Sequence, residues 1–283
     1  MTKRSIIIAN WKMKLRWNEA IDLARGVVDG VKELDLEKIP EVVLCPSYTA
    51  MSKVGKILNL RESDSDSPKE QIESNREDIG IDLGAQDVFW EENGAYTGEI
   101  SIEMLRDLKC KYFIIGHSER RQYLGETDEM VNKKLKKVLE VGGIPIVCVG
   151  ETREERGRGD KDSTVVNQIT RAFEGVKLLE NQKVIIAYEP VWIIGTGQAI
   201  ESNEVEYMAN LIRHLSLGFC SNENNLRVIY GGSVDSGNVN NFIKNVIDDS
   251  NVIFKQYIDG FLVGTAALNI GEFLRMIKRL VIK

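Results

Sequence analysis

Apolar runs of strand length recur along the whole chain, and each is followed by a stretch whose apolar residues return every three or four positions. The first run covers 5–10 and leads into a helical pattern over 18–32, with Ile21, Ala24, Val28 and Val31 on one stripe. The pairs that follow are 41–45 with 50–60, 81–86 with 101–108, 112–116 with 128–141, and 144–150 with 164–179. Then come 183–189 with 203–217, 226–230 with 237–245, and 260–263 with 270–281. The strands read apolar on both faces, as strands of a covered parallel sheet do. Eight such repeats predict an α/β fold, a closed (β/α)8 barrel occupying the chain as one domain, 1–283. A doubly wound open sheet is the alternative, but no G-x-G-x-x-G follows the first strand to support it.

One stretch breaks the rhythm. Residues 61–79 hold three basic and seven acidic side chains, a net −4 out of the chain's −6. That composition predicts a solvated acidic insertion between the second helix and the third strand. Segments 222–225 and 246–256 read as smaller insertions of the same helix-to-strand kind. The net charge of −6 disfavours a nucleic-acid partner. No apolar run approaches the ~20 residues of a membrane span, and no signal-peptide pattern follows Met1. Cys45, Cys110, Cys148 and Cys220 lack metal or redox spacing. Reduced thiols in a cytoplasmic protein with no membrane partner are therefore expected.

In a (β/α)8 barrel the chemistry lies at the C-terminal ends of the strands. Collected there are Asn10 and Lys12, Gln86, His117 and Glu119, Glu189, Gly231–Ser233, and Gly264 with Thr265. Glu189 stands out. It emerges from an apolar strand and opens the segment Pro190, Val191, Trp192, Ile193, Ile194, Gly195, Thr196, Gly197, which reads as a loop with mobile corners. A base at a strand end with a closable loop attached suits an enzyme. Taken singly, each of these residues has a plainer reading as a surface charge, a core histidine or an ordinary turn. His214, inside a predicted helix, keeps that plainer reading, and Glu126 is expected to be structural.

Seven segments carry a resemblance: IANWKMK (8–14), GAQDVFWEENGAYTGEIS (84–101), IIGHSERR (114–121), VCVGE (147–151), AYEPVWIIGTG (187–197), YGGSV (230–234) and DGFLVG (259–264). In this order, each at a strand end, they resemble the triosephosphate isomerase family over essentially the whole chain. The resemblance implies an aldose–ketose isomerase that interconverts dihydroxyacetone phosphate and glyceraldehyde 3-phosphate without a cofactor or metal. It implies Glu189 as base, His117 as electrophile, Lys12 with Asn10 facing the substrate, and Glu119 pairing with that lysine. It further implies phosphate binding at Gly195, Ser233, Gly264 and Thr265, and Tyr230 as the residue that holds the closed lid.

The same resemblance implies a homodimer in which the loop GAYTGE (94–99) enters the neighbouring active site. Thr97 would approach Asn10 and Lys12 of the partner subunit, and Glu99 would face Arg120 of the partner subunit. The connection is long, and Phe89, Trp90, Ala95 and Tyr96 are expected to be exposed on it. Four departures from the family pattern stand out. Thr265 replaces a glycine, Ile193 a small residue and Asp87 an asparagine, and Lys14-Leu15-Arg16-Trp17 is bulkier than usual. Thr265 and Ile193 keep open a paralogue acting on a four-carbon ketose phosphate, and the Lys14–Trp17 segment bears on the dimer contact. A catalytically silent phosphate-binding barrel is the reading from another class, disfavoured because Lys12, His117 and Glu189 occur together.

Overall fold

A computed structural model describes residues 4–35, 38–58, 79–198, 200–243, 246–248, 251–253 and 257–281. The acidic insertion read at 61–79 lies outside the described residues, apart from a buried Ile79. The strands are β1 (Ile6–Asn10), β2 (Glu41–Cys45), β3 (Ile81–Ala85), β4 (Tyr112–Ile115), β5 (Ile144–Val149), β6 (Val184–Tyr188) and β7 (Leu226–Tyr230). A short antiparallel pair, β8 (Val246–Asp248) and β9 (Asn251–Ile253), precedes β10 (Gly260–Val263). Helices α1 (Trp17–Lys32), α2 (Tyr48–Ile57), α3 (Ile102–Asp107), α4 (Ser118–Leu124) and α5 (Asp128–Glu140) lie in the first half. The second half holds α6 (Arg153–Gly157), α7 (Lys161–Ala172), α8 (Ser202–Ser216) and α9 (Ile270–Arg279).

Strands β1 to β7 and β10 close into one parallel barrel, with β1 paired to both β2 and β10. The alternation of side chains along each strand divides the core in two. Ile6, Ile8, Val43, Tyr112, Ile114, Ile146, Ile185, Ile229 and Leu262, all strand residues, fill the barrel interior. Their neighbours Ile7, Ala9, Val42, Leu44, Phe113 and Ile186 face the helices and join a larger outer core with residues such as Ala24, Val28, Leu135 and Ile212. Strands buried on both faces are what the uninterrupted apolar runs required.

Three readings need correction. The helix expected at 237–245 is only a 3-10 turn, Val239–Phe242. Asn238, Asn240 and Asn241 are poor helix formers, and the Asp235 carboxylate already accepts from the Gly237 and Asn238 N–H groups at 2.7 and 3.0 Å. The helix read over 164–179 starts at Lys161 and stops at Ala172. Phe173 there stacks on Phe219 at 3.8 Å, Gly175 takes φ +71°, and Leu178 N–H turns to the Phe219 carbonyl. Helices α4 and α6 are additional to the eight expected; α4 buries only Ser118 and α6 no residue, so neither shows an apolar stripe. The segment 246–256 contains the β8–β9 pair.

Gly260 lies opposite Ile6 in the seam that closes the barrel, where a methyl group would run into the Ile6 carbonyl oxygen. Gly260→Ala should therefore destabilise the protein by roughly 3 kcal/mol or more, beyond usual overpacking. Urea denaturation midpoints measure this, and an unchanged midpoint would mean the seam yields easily.

Candidate active site

After β1 the chain turns back on itself, and Lys12 takes φ +53°, a left-handed conformation unusual for a side chain with a Cβ. Such strain, on the order of 1–3 kcal/mol, persists only where surrounding groups hold it. Here Asn10 Oδ1 accepts the Lys12 N–H at 3.0 Å, and Gln86 Nε2 donates to both the Lys12 and Cys45 carbonyls at 3.0 Å. The turn delivers Lys12 Nζ to 2.7 Å from Glu119 Oε1.

His117 follows β4 and caps α4. Its Nδ1 accepts the Glu119 N–H at 3.2 Å, so that nitrogen carries no proton and the hydrogen-bond network assigns the ring proton to Nε2. Nε2 lies 3.2 Å from Glu189 Oε1. Glu189 leaves β6 with its N–H bonded to the Val149 carbonyl at 2.8 Å, and its Oε2 accepts the Ser118 N–H at 3.2 Å. It is a carboxylate only 2% exposed. Space for it depends on Gly231, where a methyl group would stand 2.8 Å from Glu189 Cγ. Asn10, Lys12, His117 and Glu189 share a cavity of about 400 Å³ with Gly195, Gly231, Gly232, Ser233, Gly264 and Thr265. Thr265 is exposed and begins a 3-10 turn, so the β-branched side chain sits at the cavity rim.

The loop after Glu189 is anchored at its start. Glu151, wholly buried at the end of β5, accepts the Trp192 indole N–H at 3.0 Å and the Tyr188 hydroxyl at 3.1 Å. Its own carbonyl accepts the Val191 N–H at 3.0 Å. The Arg156 guanidinium lies 4.6 Å from the Trp192 ring centroid and is bonded to Glu204. Val191–Ile193 form a 3-10 turn, and Ile193 is buried in the outer core, while Ile194, Gly195 and Gly197 line the cavity. The bulky Ile193 is thus a packing residue. The Ser233 hydroxyl donates to the Ile193 carbonyl at 3.0 Å, joining the loop to the glycine turn. Tyr230 presents a buried hydroxyl with no hydrogen-bond partner among the described residues. Burial pushes its pKa up, opposed by the Ile200 backbone just past the loop.

Beside His117 lies a nearly dry charge cluster. Glu126 accepts from the Gly116 N–H at 3.1 Å, Lys134 Nζ at 3.1 Å and Arg120 Nε at 2.6 Å. Asp87 accepts from Lys134 at 2.7 and 2.9 Å and from Arg120 Nη2 at 2.8 Å. The structural expectation for Glu126 is met. Arg120, expected at a subunit contact, is held by its own chain through Nε and Nη2. Thr97 and Glu99 lie on a stretch, 91–99, that is exposed throughout. Phe89, expected to be exposed, is instead tucked under the loop's base, 4.1 Å from the Trp90 ring and 4.8 Å from Tyr96. Tyr96 and Ala95 are exposed, and Trp90 is half-buried. In the bulky segment after Lys12, Leu15 packs on the core and Trp17 opens α1 half-exposed. His214 lies in α8, away from the cavity lining.

Glu151, Lys134 and Arg121 went unassigned in the sequence. Glu151 had a signal, an acid directly beyond an apolar strand in VCVGE. Lys134 and Arg121 carry no such local signal.

The sequence profile described as Triosephosphate isomerase matches residues 5–280. The chain is 40% identical over 278 residues to the triosephosphate isomerase of Dictyoglomus thermophilum, covering 98% of this chain and 99% of that one. It is 41% identical over 278 residues to the protein of that name from Alkaliphilus oremlandii, covering 97% and 99%. For the one from Thermoanaerobacter pseudethanolicus the figure is 38% over 277 residues, again covering 97% and 99%.

Burial pushes the Asp87 carboxyl up to about 6, with Glu126 adding to the rise and Lys134 and Arg120 opposing it. A folded-state pKa above the unfolded one gives stability that is full below about pH 4 and is lost as pH rises through about 6. Asp87→Asn, uncharged throughout, should gain on the native chain by roughly 1–3 kcal/mol between pH 4.5 and pH 7.5. Urea unfolding at the two pH values measures the gap. A gap independent of pH would show that Asp87 does not titrate in this range.

Proposed function

The chain belongs to the triosephosphate isomerase family, the enzymes that interconvert dihydroxyacetone phosphate and D-glyceraldehyde 3-phosphate, and from that premise we propose the following roles for its residues. Glu189 is the base that moves a proton between the two carbons. The observation that carries this reading is the pairing of a buried Glu189 carboxylate with the Nε2 proton of His117, 3.2 Å away, in one cavity with Lys12. The full-length relatives do not favour the four-carbon substrate or the silent barrel.

Isomerisation removes a proton from a carbon beside a carbonyl, and the enediolate that forms needs donors already aimed at its oxygens. His117 Nε2–H and the Lys12 ammonium, with Asn10 beside them, are such donors. The Nδ1 contact at 3.2 Å matters because it leaves the ring a proton to donate at Nε2. Glu119 holds Lys12 Nζ in register at 2.7 Å. The same Nε2–H that a substrate oxygen would accept is here given to Glu189, so substrate entry exchanges one acceptor for another.

The phosphate dianion suits backbone N–H groups at the Gly231-Gly232-Ser233 and Gly264-Thr265 turns, joined by Gly195 of the lid. Thr265 leaves its N–H available. Residues 190–197 form the lid: Pro190, Val191, Trp192 and Ile193 its anchored end, and Ile194, Gly195, Thr196 and Gly197 its moving part. The Tyr230 hydroxyl, next to the Ile200 backbone just past the loop, is the group that holds it closed. Closure excludes water and keeps the enediolate from side reactions.

The protein works as a single barrel domain and as a homodimer, in glycolysis and gluconeogenesis, in the cytoplasm. The four buried cysteines, Cys45, Cys110, Cys148 and Cys220, form no disulfide among the described residues and suit a reducing compartment. The exposed 91–99 loop, with Tyr96 at its tip, and the exposed Met13 and Trp17 support a contact between copies in which Thr97 approaches Lys12 of the partner subunit. Because Arg120 is engaged within its own chain, a contact with Glu99 of the partner subunit would be an addition to the charge cluster and would not replace any part of it.

Glu189→Asp should lower kcat about a hundredfold with little change in KM, since shortening the base moves its oxygen by about 1 Å. Steady-state kinetics decide, and near-normal turnover would remove Glu189 from the reaction. Thr97→Arg should abolish both dimer and activity. Sedimentation at micromolar concentration with a parallel assay tests this, and an active monomer would sink the interdigitated arrangement.

A further inference from the structure

The carbonyl and the N–H of one residue, Gly116, are each held by a side chain that the chemistry above does not use. Gly116 ends β4 in the left-handed region, φ +70°, immediately before His117. Arg121 Nε donates to the Gly116 carbonyl at 2.7 Å. Glu126 Oε1 accepts the Gly116 N–H at 3.1 Å. Neither holder is free to drift. Arg121 is fixed by Asp128 Oδ1 at 2.6 Å and reaches the Cys148 carbonyl of β5 at 3.4 Å. Glu126 is fixed by Arg120 and Lys134. The fit is close, since a methyl group on Gly116 would lie 2.9 Å from Arg121 Nη2 and 2.8 Å from Val131 Cγ2.

We infer that Arg121 and Glu126 are positioning residues for His117, clamping the Gly116 peptide groups so that Nε2 points at the reacting oxygens. The inference rests on the reading of His117 as electrophile. Glycine in the left-handed region has broad freedom, and a rotation about Gly116 ψ would swing the imidazole off its line. The clamp removes that freedom. Anchoring helix α5 does not require it. Helix α5 is capped by Thr127, whose side chain accepts the Met130 N–H, and is seated by buried Val131, Leu135 and Val138. Arg121 itself lies on α4, which buries only Ser118, so it seats that helix as well as the Gly116 carbonyl, and kinetic measurements separate the two roles.

A double-mutant cycle between Arg121→Met and His117→Gln tests this, read by kcat, KM and inhibition by inorganic phosphate. Arg121→Met alone should lower kcat roughly tenfold to a hundredfold, the scale of a small misplacement, with KM and phosphate inhibition within about twofold. Arg121→Lys should recover part of the loss. In the His117→Gln background the same change should cost less than about threefold, because the ring it aims is gone. With two histidines in the chain, the imidazole ¹H–¹⁵N signals of His117 should move in Arg121→Met while those of His214 stay. Equal losses in both backgrounds, or KM and phosphate inhibition moving with kcat, would overturn the clamp. Near-normal turnover in His117→Gln alone would overturn the electrophile reading and the clamp with it. Should Arg121→Met not fold, Arg121→Lys takes its place in the cycle with the same outcomes and a smaller loss.

Discussion

Parallel closure of the sheet is the constraint from which the site follows. When β1 hydrogen-bonds to β2 on one side and β10 on the other, every strand of the barrel runs the same way. All the strand ends then share one rim, and residues far apart in the sequence come within hydrogen-bond reach. The 2.7 Å contact of Lys12 with Glu119 and the 3.2 Å contact of His117 with Glu189 are of this kind. The interior is filled by Ile, Val, Leu and Tyr from the strands, so the rim rests on a packed plug and has no channel beneath it.

Placing charges on that rim is costly, because burying an ion without partners is among the largest penalties in folding. The protein answers with compensation at short range. Glu189, 2% exposed, accepts a backbone N–H and faces an imidazole N–H. Glu126 and Asp87 share Lys134 and Arg120, two anions against two cations. Glu151 accepts from a phenol and an indole. These bonds also fix direction, which is what a catalytic site needs from them.

The 190–197 loop, the proposed lid, joins local order to local freedom. Trp192 is tied down by Glu151 and stacked by Arg156, and Ile193 is sunk in the outer core. Gly195 and Gly197, two residues apart, take φ +76° and +74° with nothing within 4 Å of where a side chain would begin. One end is held by dense contacts, and the other is made of residues with wide backbone freedom and open surroundings. The part that faces the cavity is thus the least constrained stretch of the loop.

The hydropathy period determined the eight barrel strands and their burial on both faces, though not the short β8–β9 pair. Residue type at the strand ends determined which side chains were candidates for chemistry, Glu189 and His117 foremost. Both are local properties of the chain, and the parallel fold turns them into a rim of functional groups by rule. The tertiary structure decided what depends on distance. Only there does Glu151 become the anchor of Trp192, and Arg120 a member of the Asp87–Glu126–Lys134 cluster. Only there does Ile193 become core, and Arg121 the group that holds the Gly116 carbonyl. A buried ion pair or a backbone clamp is a relation between segments, and neither partner's sequence neighbourhood encodes the distance between them. The short 3-10 turn at Val239–Phe242 follows the same logic in reverse, since an Asp235 side-chain bond outcompeted a weak helical period.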